Sequence, residues 1–179
     1  MNELINKQHT DEFKHTRYGL LGNVSDNGCG AIAAYNILNF EGIETSFDEV
    51  VKGIGKRFGM VIGLGKLGTN LISLMLYLAK YFVLRIRFLF LKRGRAMTNC
   101  SSVLIFYYWR SKKRIGAHYI SAHRCEDGLF DVYNYAFRPI HVDLTEFISG
   151  MREKHEYPIW LVGIVKRKGK GRWKNQKRL

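Results

Sequence analysis

The sequence predicts an α+β domain, with helices first and a mostly antiparallel sheet after them. Up to about Lys80 apolar residues recur at helical spacing; beyond it, short β-branched and aromatic stretches take over. No internal repeat and no Pro- or Gly-rich linker interrupts the 179 residues, so residues 1–165 are expected to form one domain.

The elements follow in order. Residues 1–22 are polar and mixed, and predict a loose arm with a short ordered piece. A turn-rich stretch at 22–28 leads into Cys29, Gly30, Ala31, Ile32, Ala33 and Ala34, whose apolar character predicts a buried helix over 29–38. Ser25, Asp26 and Asn27 are cap-type residues just ahead of it. Ser46 followed three residues later by Glu49 predicts a capping box and a second helix. Leu71, Leu74, Met75 and Leu78 predict a third, starting near Thr69. Strands are predicted at 82–91, 102–109, 116–123, 129–135 and 159–165, and Asp143 is predicted to cap a helix over 144–153.

Charge and cysteine content narrow the function. Lys and Arg number 29 against 15 acids, a net charge of +14. Eight of the basic residues lie in 166–179, where there is no acid, and this predicts a basic, flexible tail able to touch polyanions. Basic residues beside Tyr107, Tyr108 and Trp109 can bind single strands, but that stretch reads more simply as a strand running into a solvated turn. Nucleic acid is therefore not the main partner expected. Gly63, Gly65 and Gly68 imitate a phosphate loop without its full spacing. Three cysteines, Cys29, Cys100 and Cys125, give neither a disulfide framework nor metal-ligand spacing. His9, His15, His123, His141 and His155 add no metal-spaced set, and no metal or cofactor is expected. Without a secretory signal or a sufficiently apolar span, a cytoplasmic location is expected.

Cys29 stands where turn chemistry gives way to a helix, and unpaired amides at a helix start stabilise a thiolate. Residues 116–123 and 129–135 predict a hairpin. Pairing centred on Glu126 places His123 opposite Leu129, Ala122 opposite Phe130, Ile120 opposite Val132 and His118 opposite Asn134. His118 and Asn134 then close an otherwise apolar, core-facing surface, while Tyr119, Ser121, Asp131 and Tyr133 face solvent. A nucleophile, a base and a group that orients the base make a hydrolytic constellation. The register favours Asn134 as the orienting group over Asp131, which a one-residue slip would substitute.

These residues resemble the papain-like fold, and most of all its bacterial branch that removes double-glycine leaders from bacteriocin precursors. That branch has a Gln six residues before its catalytic Cys, then a His, then an Asn or Asp about sixteen residues later. Here Asn23 lies six before Cys29 and Asn134 sixteen after His118, and the run Asp26, Asn27, Gly28, Cys29, Gly30 resembles the branch's loop into its nucleophile helix. The resemblance implies a cysteine peptidase with a Cys29–His118–Asn134 triad, a peptide or protein substrate cut after small residues such as Gly-Gly, and an oxyanion hole at Asn23. Asn is one methylene shorter than Gln, so Asn27 is the alternative donor. A thiol-dependent acyltransferase and a catalytically weak binding domain on the same fold are the competing expectations.

Overall fold

The computed structural model describes residues 3–55, 68–89, 97–110, 115–154 and 159–166. The chain opens with α1 (Asp11–His15), the short strands β1 (Arg17–Tyr18) and β2 (Gly22–Asn23), and α2 (Val24–Asn27). Three further helices follow: α3 (Cys29–Phe40), α4 (Phe47–Gly55) and α5 (Leu71–Leu78). Then come β3 (Phe82–Leu89), β4 (Ser102–Arg110), β5 (Ile115–Arg124), β6 (Phe130–Tyr133), β7 (Ile140–Val142), α6 (Leu144–Glu153) and β8 (Ile159–Lys166). Strands β3 to β8 form one sheet in the order β3-β8-β4-β5-β6-β7, with every neighbour antiparallel.

Several expected elements form for the expected reasons. Ser46 Oγ accepts from the Glu49 amide at 3.2 Å while Glu49 Oε2 accepts from the Ser46 amide at 2.9 Å, the reciprocal box that starts α4. Asn70 caps α5 and Asp143 caps α6 through their side-chain oxygens. The strand at the chain's end runs one residue into the span expected to be tail. Lys166 closes β8, and its ammonium lies 3.4 Å from the buried carboxylate of Glu41. Residues 167–179, which carry the expected polyanion contact, lie outside the described residues, as do Gly63 and Gly65.

The sheet is covered on both sides. Helix α3 packs Ala31, Ala34 and Leu38 with Leu104, Phe106, Tyr119 and Val162 on one face. Helix α6 packs Leu144, Ile148 and Met151 with Val103, Ile105, Ile120 and Val132 on the other. Sandwiched so, Ser102 to Tyr107 of β4 are buried without alternation. Edge strand β3 instead exposes Arg85 and Arg87, charges that discourage pairing with another chain.

Two expectations fail here. The hairpin register is shifted by two residues: Ser121 pairs with Tyr133, Ala122 with Val132, His123 with Asp131 and Arg124 with Phe130. The cause is the turn. Gly128, at φ 89°, supplies the left-handed residue of a three-residue loop, the Cys125 amide bonds the Leu129 carbonyl at 2.8 Å, and Asp127 Oδ1 accepts from the Leu129 amide at 3.0 Å. A two-residue shift preserves faces, so His118 keeps the side of Ile120 and Ala122 but does not lie opposite Asn134. The second failure concerns the face expected to meet solvent. It lies under α3: Asn36 Nδ2 donates to Ser121 Oγ at 3.3 Å, and Phe40 stacks on His123.

The amino-terminal arm is also firmer than its composition suggests. Asn36 holds the Ile5 backbone in both directions at 2.8 Å, and Gln8 is buried with its Nε2 donating to the Ser25 carbonyl at 2.9 Å.

Candidate active site

Cys29 is the first residue of α3 and is 6% exposed. The cap-type residues ahead of it build α2 instead of capping α3: Asn23 caps α2, and Gly28 links the two helices without a side-chain cap bond. Gly30 lets Thr69 come close, since a Cβ there would sit 2.5 Å from Thr69 Oγ1. The Tyr18 hydroxyl bonds Thr69 Oγ1, and the Tyr119 hydroxyl donates to the Thr69 carbonyl at 2.9 Å. Aromatic rings and a helix start thus enclose the thiol.

Its electrostatics differ from the stabilised thiolate that a helix start suggests. Burial pushes the Cys29 thiol up to about 11, against backbone amides of Tyr119, Gly30 and Cys29 itself that favour the thiolate. Desolvation wins, and the resting thiol is protonated.

The Tyr119 contact follows from strand geometry. Backbone groups of successive residues in an antiparallel ladder point to alternate sides. The Arg124 amide bonds the Ser101 carbonyl, so even-numbered residues of β5 address β4 and odd-numbered ones address β6. Strand β6 ends at Tyr133, leaving the β6 side of Tyr119 to other partners. Its N–H favours the Cys29 thiolate, and its carbonyl accepts from Asn134 Nδ2 at 3.4 Å. The thiol therefore lies beside the residue that follows His118.

His118 is half-buried, and its Nε2 donates to the main-chain carbonyl of Asn134 at 2.6 Å. A carbonyl only accepts, so Nε2 carries the proton and Nδ1 keeps a lone pair. Burial lowers the His118 pKa, the Asn134 bond opposes that, and His9 adds to the lowering, so the imidazole is neutral near pH 7. Among the described residues no hydrogen bond joins Cys29 to His118.

Asn134 thus meets His118 through its backbone, not through the side chain expected to orient it. It is buried, with φ 64°, a left-handed conformation that Asn tolerates better than most residues. Its amide donates to Asn6 Oδ1 at 3.0 Å, and its Nδ2 also reaches Gln8 Oε1 at 3.4 Å. Asn6, Gln8, Tyr18, Thr69 and Tyr119 are participants that sequence reasoning missed. No local sequence pattern marks them, because their contacts join residues far apart in sequence.

The other candidates sit elsewhere. Asn23 Oδ1 accepts from the Asp26 amide at 2.8 Å and its Nδ2 donates to Asp26 Oδ2 at 2.9 Å, so its side chain is engaged in capping. Asn27 is half-buried at the end of α2, two residues before Cys29. Asp131 pairs across the ladder with His123, and its carboxylate meets His141 at 2.7 Å rather than His118.

No protein-family model matches the sequence, and no curated protein matches it either. Solved structures do. The peptidase domain of Streptococcus ComA, a bifunctional ABC transporter involved in a quorum-sensing pathway, aligns with a TM-score of 0.52 at 12% identity, covering 84% of this chain and 100% of that one. A double-glycine motif protease from an AMS/PCAT transporter, solved with its leader peptide, aligns with a TM-score of 0.43 at 14% identity, covering 76% of this chain and 84% of that one. Among the described residues no helix is long and apolar enough to cross a membrane. The chain thus shares the fold of the ComA peptidase domain, the papain-like α+β arrangement that the sequence resembles.

Proposed function

We propose that the chain is a cysteine peptidase, with Cys29 as nucleophile, His118 as general base and Asn134 as the group that orients His118. One observation carries this reading. His118 is tied at Nε2 to the Asn134 carbonyl, which frees Nδ1 as a base, and it adjoins Tyr119, whose N–H favours the Cys29 thiolate.

The chemistry follows from the two neutral groups. As substrate seats, His118 Nδ1 takes the Cys29 proton and the thiolate attacks the scissile carbonyl carbon. The oxyanion is met by the Cys29 backbone N–H and by a side-chain amide from Asn23, or alternatively Asn27. His118 returns the proton to the leaving amine, and water, deprotonated by the same nitrogen, hydrolyses the thioester. If an amine or thiol replaced that water, the site would be an acyltransferase. The substrate is a peptide with small residues, such as Gly-Gly, before the cut.

A second reading has its own support. Asn23 is engaged with Asp26, and loss of an oxyanion donor costs about 10²–10³ in rate. The alternative is a papain-like binding domain without turnover. The deciding experiment incubates the full chain with peptides carrying Gly-Gly before the scissile bond and follows cleavage and the Cys29 acyl adduct by mass spectrometry. Cleavage that is lost in Cys29→Ala and His118→Ala supports the peptidase. Neither cleavage nor adduct in the wild type would overturn the peptidase reading in favour of the binding domain.

A further inference from the structure

A second thiol and imidazole meet at the far end of β5. Cys125 begins the β5–β6 turn, Asp131 lies on β6, and His141 lies opposite Asp131 on β7. Their ligand atoms all fall within 4.8 Å of one another. His141 Nδ1 is 2.7 Å from Asp131 Oδ1 and 3.9 Å from Cys125 Sγ. On its other side, His141 Nε2 donates to Asp127 Oδ2 at 2.8 Å. The Cys125 thiol also donates to the His123 carbonyl at 3.8 Å.

We propose that Cys125, Asp131 and His141 bind a divalent zinc-type cation, with Asp127 fixing His141 from behind and solvent completing the coordination. Tetrahedral zinc holds N, O and S donors at about 2.0–2.3 Å, which sets the donors about 3–4 Å apart. The observed separations need only small side-chain movements to reach that spacing. The donor set is a thiolate, an imidazole and one carboxylate, which suits zinc and disfavours calcium and magnesium, cations that prefer oxygen alone. The metal replaces the proton shared by His141 Nδ1 and Asp131 and the proton of the Cys125 thiol. The Nε2–H to Asp127 bond stays, giving the carboxylate–histidine–metal arrangement that fixes tautomer and ring orientation.

The positions 125, 131 and 141 match no metal-binding spacing, and the absence of a metal expected from sequence came from that. Only the β6–β7 register, which sets Asp131 against His141, and the tight turn, which returns Cys125 to them, assemble the set. Side-chain exposures of 47% for His141, 37% for Asp131 and 53% for Asp127 leave solvent a way in for the ion.

The test uses the full chain, free of any histidine tag, titrated with Co²⁺ as a spectroscopic probe and then with Zn²⁺. We expect a thiolate-to-cobalt charge-transfer band that Zn²⁺ abolishes, that persists in Cys29→Ser and Cys100→Ser, and that is absent in Cys125→Ser. Asp127→Asn should keep the band but weaken Co²⁺ binding about 10–100-fold. Urea unfolding in EDTA checks that each variant folds. No thiolate band in the wild type, a band that survives Cys125→Ser, or unweakened Co²⁺ binding in folded His141→Ala would overturn the site.

Discussion

Cys29 and Cys125 each lie along β5 near a histidine, yet the two histidines are shifted in opposite directions. Around Cys29 burial dominates: the thiol is pushed up to about 11 and the His118 imidazole is held low, so both groups rest neutral. The Cys125 thiol is also raised, by burial first and then by Asp131, but carboxylates surround the histidine beside it. His141 is raised by Asp131 and Asp127, and Asp127 is lowered in return by the Leu129 amide and by His141. Water access and carboxylates, rather than residue type, decide the outcome. A neutral pair suits proton transfer to a substrate that displaces water. A charged, open cluster suits an ion.

The largest expected effect separates Cys29 from the other buried thiol, Cys100, by activity. Cys29→Ala should abolish peptide cleavage because no other group can form the thioester, whereas Cys100→Ala, buried among Met97 and Gly163, should cleave at the wild-type rate. Cleavage that survives Cys29→Ala would remove the nucleophile assignment. Next comes the pH dependence of Cys29 alkylation. A thiol at about 11 gives a thiolate fraction that rises about tenfold per pH unit below that point, so labelling followed by mass spectrometry should increase about 100-fold between about pH 7 and pH 9. A plateau already reached by pH 7 would mean a preformed thiolate–imidazolium pair, and would erase the contrast with Cys125's end of the strand.

Asn134 gives a smaller and sharper test. Because His118 bonds its carbonyl, Asn134→Gly preserves both the left-handed backbone and the contact, while Asn134→Ala strains a φ of 64° by about 1–2 kcal/mol. The glycine variant should therefore cleave peptide faster than the alanine variant. Equal loss in both would restore the side chain as the orienting group. Gln8→Ala leaves the Ser25 carbonyl and Asn134 Nδ2 short of a partner, and should cost about 1–3 kcal/mol in urea unfolding. An unchanged unfolding free energy would show that the arm does not support the site.

Legibility in the sequence followed the range of the interactions. Helix α6 and the box at Ser46 and Glu49 were legible because caps and periodicity act within a few residues. Cys29 at a helix start and the face carrying His118 were legible for the same reason. The hairpin register was not, because a two-residue shift leaves the hydrophobic alternation intact and only Gly128's conformation decides the loop length. The burial of Tyr119 and Ser121 was hidden too, since their contacts come from α3, some 80 residues earlier. Cys125, Asp131 and His141 meet through strand pairing, which no spacing rule encodes.

The smallest expected effect concerns the charge pairs of His141. Its folded pKa is raised, so its stabilisation is fully present below the unfolded value of about 6.5 and disappears as pH rises through the folded value. Asp127 is lowered, so its share is present above the unfolded value of about 3.9 and disappears as pH falls through its folded value. Both groups contribute together between those limits. His141→Gln, unfolded by urea in EDTA to exclude metal, should be less stable than wild type at about pH 5.5 and indistinguishable at about pH 9. The exposed pairs are screened by ions, so the difference at the lower pH should shrink as salt is raised. Equal destabilisation at both values would place His141 among packing residues and leave the Cys29 region as the one whose charge state the fold controls.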